Sequence, residues 1–176
     1  MKQIRYSVAM SLDGYIAGPG GEADWIVMDP EIDFGSIISE FDTVLLGRSS
    51  FEVVTQGGEG GPLFGLDTYV LSRTLDPEAY SGVTILGDGA EEAVATLRSG
   101  TGKDIWLFGG GVLFRSLMEA GLVDTVEVGV IPMLLGEGIL LYPTPASRAQ
   151  LSLVDHRVYE ATGTLVLTYR VERPDA

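Results

Sequence analysis

Four short apolar runs, each bounded by turn-forming residues, constrain the fold of this chain more than any other feature. They are Thr43 to Leu46, Thr68 to Leu71, Val83 to Leu86 and Ile105 to Phe108. Runs this short and this uniformly apolar suit strands buried on both faces, as in a parallel sheet. Helical faces fall around them. Phe34, Ile37, Ile38 and Phe41 share one, with Pro30 in the first turn. Ala90, Ala93, Val94 and Leu97 share another, with Asp88 as N-cap three residues before Glu91 and Gly100 as the stop. Leu113, Phe114, Leu117 and Met118 mark a third, ending near Gly121.

The ends of the chain complete the pattern. Ile4, Tyr6, Val8 and Met10 alternate with Gln3, Arg5, Ser7 and Ala9 as a first strand, followed by a glycine-rich loop from Asp13 to about Trp25. Val126 to Ile131 is a strand, and Leu151 to Tyr159 and Thr164 to Val171 form a terminal hairpin across Ala161-Thr162-Gly163. Alternating elements with an antiparallel finish imply an α/β sheet covered by helices on both faces. Residues 1–176 have the length of one domain, Gly57 to Gly61 reads as a loop and not a linker, and there is no internal repeat.

Composition then excludes chemistry. There is no cysteine and only one histidine, His156, so thiol catalysis, disulfides and a Cys- or His-based metal site are set aside and no metal is expected. The start has no signal-like apolar core, and no run approaches the roughly 20 apolar residues of a membrane span. A cytoplasmic protein is expected. Net charge is −14, from 25 acids against 11 bases. That field repels nucleic acid and anionic membranes, so neither is expected as a partner. A phosphorylated small molecule would have to be held locally, by helix N-termini and individually placed arginines.

The familiar nucleotide and hydrolase motifs fail on inspection. Phe114 stands where the third glycine of a G-x-G-x-x-G fingerprint would fall, Gly102-Lys103-Asp104 is no P-loop, and there is no G-x-S-x-G elbow. What remains is Ile105-Trp106-Leu107-Phe108 running into Gly109-Gly110-Gly111 and at once into a helix. Such a turn lets an anionic ligand lie against backbone N–H groups at the positive helix end; the alternative is a tight turn that needs glycine for packing. Leu46-Gly47-Arg48-Ser49-Ser50 and Leu71-Ser72-Arg73-Thr74 are two more strand ends carrying cations and hydroxyls. Singly, Arg48 and Arg73 read as surface charges; together the three strand ends describe a ligand site at the carboxyl edge of a sheet. Tyr6, Tyr15 and Tyr159 read as packing residues, and His156 as a solvent-facing strand residue.

Ser11-Leu12-Asp13-Gly14-Tyr15-Ile16-Ala17-Gly18, Asp24-Trp25, Leu46-Gly47-Arg48, Leu71-Ser72-Arg73 and the Gly109 to Gly111 turn together resemble the dihydrofolate reductase superfamily. The Ser-Leu-Asp-Gly opening, Gly121 to Asp124 and Pro132 to Gly138 draw the resemblance toward the reductase domain of bifunctional riboflavin-biosynthesis proteins (RibD C-terminal domain) and its stand-alone relatives. The resemblance implies a three-layer α/β/α fold with a mostly parallel central sheet and an antiparallel C-terminal hairpin. It implies NADPH as cofactor, with Gly109, Gly110, Gly111 and Val112 at the diphosphate, Gly47, Arg48 and Ser49 beside it, and Ser72 and Arg73 at the 2′-phosphate. The loop from Ala9 to Gly18 would close over the nicotinamide, and Asp13, Trp25 and Asp29 would face the substrate.

For catalysis, the resemblance points to a carboxylate beyond the tryptophan, where Asp29 and Glu31 bracket the place, with Asp13 nearby. Asp29 before Pro30 is equally a helix N-cap. The expected proton donor is a carboxyl of raised pKa, or a water it orients. The implied acceptor is a pyrimidine of the 5-amino-6-(5-phosphoribosylamino)uracil type, with dihydrofolate or another pterin as the alternative. The sequence departs from the riboflavin branch in lacking its basic set, with a helical histidine, after the tryptophan. A non-catalytic NADP-binding module is the reading from another class. The resemblance also implies a homodimer.

Overall fold

The computed structural model describes residues 1–55 and 61–173. Gly57 to Gly60, read above as loop, lie outside the described residues. Eight strands form the main sheet in the order β5-β4-β3-β6-β1-β7-β10-β9. They are β1 (Ile4–Ser11), β3 (Phe41–Gly47), β4 (Asp67–Leu71), β5 (Val83–Leu86), β6 (Asp104–Gly109), β7 (Thr125–Ile131), β9 (Leu151–Tyr159) and β10 (Thr164–Val171). From β5 across to β7 every pairing is parallel, while β10 is antiparallel to both β7 and β9.

The apolar runs lie at the centre because both of their faces are covered. In β3, Leu45 points into one core with Ile4, Tyr6, Ile105 and Leu107 of the neighbouring strands. Its neighbours Val44 and Leu46 enter the other, with Phe41, Val70 and Trp106. Helices α3 (Ala90–Ser99) and α4 (Gly111–Glu119) supply Val94, Phe114 and Leu117 to the first core. Helices α1 (Phe34–Ile38) and α2 (Arg48–Thr55) supply Ile37, Ile38 and Phe51 to the second. The result is the three-layer α/β/α arrangement with a mostly parallel sheet and an antiparallel finish.

Three local expectations are corrected. α1 is only five residues long and starts after Asp33, whose carboxylate accepts from the Ser36 amide, so Pro30 is outside it. Gly89, at φ +77°, is the N-cap of α3, and no side chain caps it; Asp88 instead turns outward to Arg73, 3.1 Å away. The glycine-rich loop contains a short strand, β2 (Tyr15–Ala17), antiparallel to β8 (Ile139–Leu140), and neither is long enough to leave a periodic trace. Among the described residues, no helix is long and apolar enough to cross a membrane.

Leu107 is fully buried at the centre of the first core. Leu107→Ala should cost roughly 2–5 kcal/mol, read as a lower urea midpoint, because the sheet and two helices cannot collapse into the space.

Candidate functional site

β3 and β6 are neighbours, with Leu46 opposite Gly109, yet their chains leave toward opposite faces of the sheet. After β3 the chain enters α2 on one side; after β6 it enters α4 on the other. Where adjacent parallel strands send their connections apart, a crevice opens at their carboxyl ends. The crevice here is a cleft of about 1170 Å³, larger than the ~300–1,000 Å³ typical of drug-sized ligands.

Three helix N-termini open on it. Arg48, Ser49 and Ser50 of α2, Gly89 to Glu92 at the start of α3, and Gly110, Gly111 and Val112 at the start of α4 all line the cleft. Neither α3 nor α4 has a side-chain cap, so their first-turn N–H groups are left for a ligand. The three glycines divide their labour. Gly109 has φ +131°, a conformation that only glycine adopts without strain. Gly110 lies on the cleft floor, where an added Cβ would come 3.4 Å from Ser50 Oγ. Gly111 also lines the cleft, but a Cβ there would strike the backbone oxygens of Leu140 and Leu141. Of the two readings of this turn, close packing is met at Gly111, while Gly110 leaves the cleft floor open.

The arginines are already engaged. Arg48 donates to Glu52 (2.8 Å) and to Thr74 Oγ1 (2.8 Å), bridging the ends of β3 and β4. Arg73 pairs with Asp88 across 3.1 Å, both widely exposed, so an anion would compete with a carboxylate for it. Ser72 Oγ accepts from the Thr74 and Leu75 amides and shapes the turn that carries Arg73. Gly47, Arg48, Ser49, Ser72, Arg73, Gly110, Gly111 and Val112 thus meet at one cleft. Ala9, Gly18 and Gly109 are not among its lining residues, although Ala17 and Pro19 are. Ser50, named with the Leu46 to Ser50 strand end, lines it as well, and Gly87, Gly89, Ser116 and Ile139 line it without having been singled out. Gly87 and Gly89 follow the run Val83 to Leu86 and were legible as a fourth strand end. Ile139 is brought in only by the β2–β8 pairing.

The carboxylates singled out for catalysis lie elsewhere. Asp13 is exposed and staples two loops, accepting from Ser11 Oγ (2.6 Å), Gly136 N (2.7 Å) and Leu135 N (3.1 Å). The Ser11 hydroxyl first, and then the Gly136 amide, lower its pKa to about 2. Asp29 is buried and accepts from Glu31 N (2.9 Å), Thr162 Oγ1 (2.9 Å) and Thr162 N (3.1 Å), tying its segment to the β9–β10 turn. The Glu31 amide is the largest cause holding its carboxyl below the ordinary range. Glu31 itself is exposed, 3.4 Å from Arg157. The expected raised pKa is therefore found at neither aspartate: both are held ionised. Trp25 is buried, donating Nε1–H to the Glu22 carbonyl, and does not line the cleft.

The sheet order, the switch point and the anion-suited cleft define an α/β protein with a dihydrofolate reductase-like fold. Residues 2–165 match the RibD C-terminal domain, and the chain belongs to that family. It is 32% identical to the uncharacterized protein YyaP of Bacillus subtilis, over 96% of this chain and 94% of that one. The structure of a putative riboflavin biosynthesis protein from Shewanella sp. PV-4 superposes with a TM-score of 0.81 at 25% identity, over 98% of this chain and all of that one. Dihydrofolate reductase from Enterococcus faecalis, solved with NADP(H) and RAB-propyl, gives a TM-score of 0.72 at 21% identity, over 97% of each chain.

Two outcomes follow from these contacts. Gly111→Ala should lower stability by roughly 1–3 kcal/mol, because its Cβ meets rigid backbone, while Gly110→Ala should fold normally; paired thermal melts distinguish them. Asp13, lowered to about 2, stabilises the fold above its unfolded pKa of ~3.9, and that contribution disappears as pH falls through about 2. Acid titrations of wild type and Asp13→Asn should accordingly differ in stability near neutral pH and converge at the acid end.

Proposed function

We propose that this protein is an NADPH-dependent reductase that delivers a hydride to a double bond of a small nitrogen heterocycle. The observation that carries the reading is the convergence of three helix N-termini, Arg48 and Arg73 on one cleft in a chain of net charge −14. Phosphates are the ligands such a cleft suits, since the remaining surface repels them. The NADP(H) bound to the E. faecalis reductase of the same fold supports the choice of cofactor.

When bound, the dinucleotide would supply the hydride; the protein holds and orients. The amides of Gly110, Gly111 and Val112 and the start of α2 would take the diphosphate. Arg73, released from Asp88, would meet the 2′-phosphate. The β2–β8 pair, through Ile16, Ala17 and Ile139, walls the cleft and limits water. Asp13 and Asp29 line no part of the cleft and are engaged as acceptors between loops, so the proton for the reduced ring would come from water.

For the acceptor, the family and the riboflavin biosynthesis named for the Shewanella relative support a ribosylaminopyrimidine of the 5-amino-6-(5-phosphoribosylamino)uracil type. A pterin is favoured by a different observation. Phe108, at the cleft wall, continues into a cluster with Phe64 and Trp106, whose ring centroids lie 6.1 and 5.3 Å away, and with Phe34 beyond them. Flat rings without phosphate suit such a wall.

Steady-state NADPH oxidation over a panel of phosphorylated pyrimidines and pterins tests the reading and separates the acceptors. Tight NADPH binding with no acceptor consumed would instead indicate a non-catalytic binding module; no NADPH binding would refute both. Arg73→Ala should weaken NADPH about tenfold or more, the loss of one contact to a charged group at roughly 1.5–3 kcal/mol, and leave NADH nearly unchanged. Titration of both cofactors against both proteins measures this, and equal loss would remove Arg73 from the 2′-phosphate.

A further inference from the structure

Strands β4 and β5 run parallel at one end of the sheet, and Leu71 opposite Leu86 is their last pair. The Ser72 amide donates to the Leu86 carbonyl at 2.9 Å, so the two chains leave the sheet level with each other. Two residues beyond that last pair stand Arg73 and Asp88, whose side chains meet across 3.1 Å. They are 82% and 93% exposed, and an ion pair so open to water adds little to stability. The register of the two strands places this pair at the cleft rim, and folding does not depend on it.

In dinucleotide-binding sheets a carboxylate takes the adenosine-ribose 2′-hydroxyl of NAD, and an arginine takes the 2′-phosphate of NADP. This rim carries both devices on adjacent strand ends. The surrounding charge does not side with the arginine. Glu91 and Glu92, in the first turn of α3, also line the cleft, so Arg73 stands against Asp88 and two further acids. Arg48, the other cleft arginine, is paired with Glu52. A 2′-phosphate would bring roughly two negative charges to this end, whereas a ribose hydroxyl brings none and can donate to a carboxylate.

We propose that Asp88 makes the cleft a dual-cofactor site, open to NADH as well as NADPH. NADPH displaces Asp88 from Arg73 and sets its 2′-phosphate there. NADH leaves the pair intact and donates its ribose 2′-hydroxyl to Asp88. Arg73 Nε lies against Oδ1, which leaves Oδ2 to accept from the ribose. This role for Asp88 rests on the reductase reading and adds to it the residue that sets cofactor choice. The phosphate gains only the difference between two exposed contacts to the same guanidinium, so discrimination between the cofactors is small.

Fluorescence titration of NADPH and NADH against wild type, Asp88→Ala and Arg73→Ala tests it. Wild type should bind the two within about tenfold of each other. Asp88→Ala should tighten NADPH and weaken NADH, each about threefold or more, the scale of one exposed charged contact. Damage to the fold would weaken both, so opposite signs are the signature of a direct role. Arg73→Ala should turn the preference toward NADH. A wild type that separates the cofactors by more than about tenfold overturns the proposal and leaves the reductase reading standing. An Asp88→Ala protein that fails to tighten NADPH, or fails to weaken NADH, does the same. A wild type that binds neither cofactor overturns the reductase reading itself, and the role of Asp88 with it.

Discussion

The cleft depends on one constraint: β3 and β6 lie side by side and parallel, and their chains leave toward opposite faces. Leu46 stands opposite Gly109, and one residue beyond each the backbones part, to α2 on one side and α4 on the other. The close approach is at Gly111, where a Cβ would strike the backbone oxygens of Leu140 and Leu141, whereas one on Gly47 would meet the Gly109 carbonyl and Gly110 amide in ordinary contact at 3.7 and 3.8 Å. The glycines let two diverging chains and a third loop pass within contact distance, and the space between the divergent helices is the site.

Charge is handled on the same local scale. A net −14 would exclude anions from most of the surface, and the cleft answers with backbone amides of helix starts, which add positive potential without adding charge. Its arginines are held in exposed pairs, Arg48 with Glu52 and Arg73 with Asp88, so a phosphate bound there would have to displace a carboxylate from a weak pair.

Asp13 and Asp29 show how a carboxylate can look catalytic in sequence and serve as an anchor in space. Both sit in irregular segments with no ladder of their own. Asp13 holds the turn after β1 to Leu135 and Gly136, more than a hundred residues on, and Asp29 holds its segment to Thr162. Those partners come from the far end of the chain, so no spacing near either aspartate could announce them. Short elements failed for a related reason: β2 and β8 have three and two residues, too few for a period to register, and α1, read from Phe34, Ile37 and Ile38, is shorter than its pattern because Phe41 opens β3.

The sequence by itself determined the layered α/β architecture, the positions of the central strands, the terminal hairpin and most of the cleft's polar edge. Those features are local: a strand buried on both faces is mostly apolar along its length, and the glycines, serines and arginines of the cleft edge follow their strands within a few residues. Only the tertiary structure decided which of the three glycines serves packing, which carboxylates are anchors, and that β9 is left at an open edge. Each of those outcomes rests on contacts between residues far apart in the chain, and such contacts leave no imprint on the spacing of residues at either end.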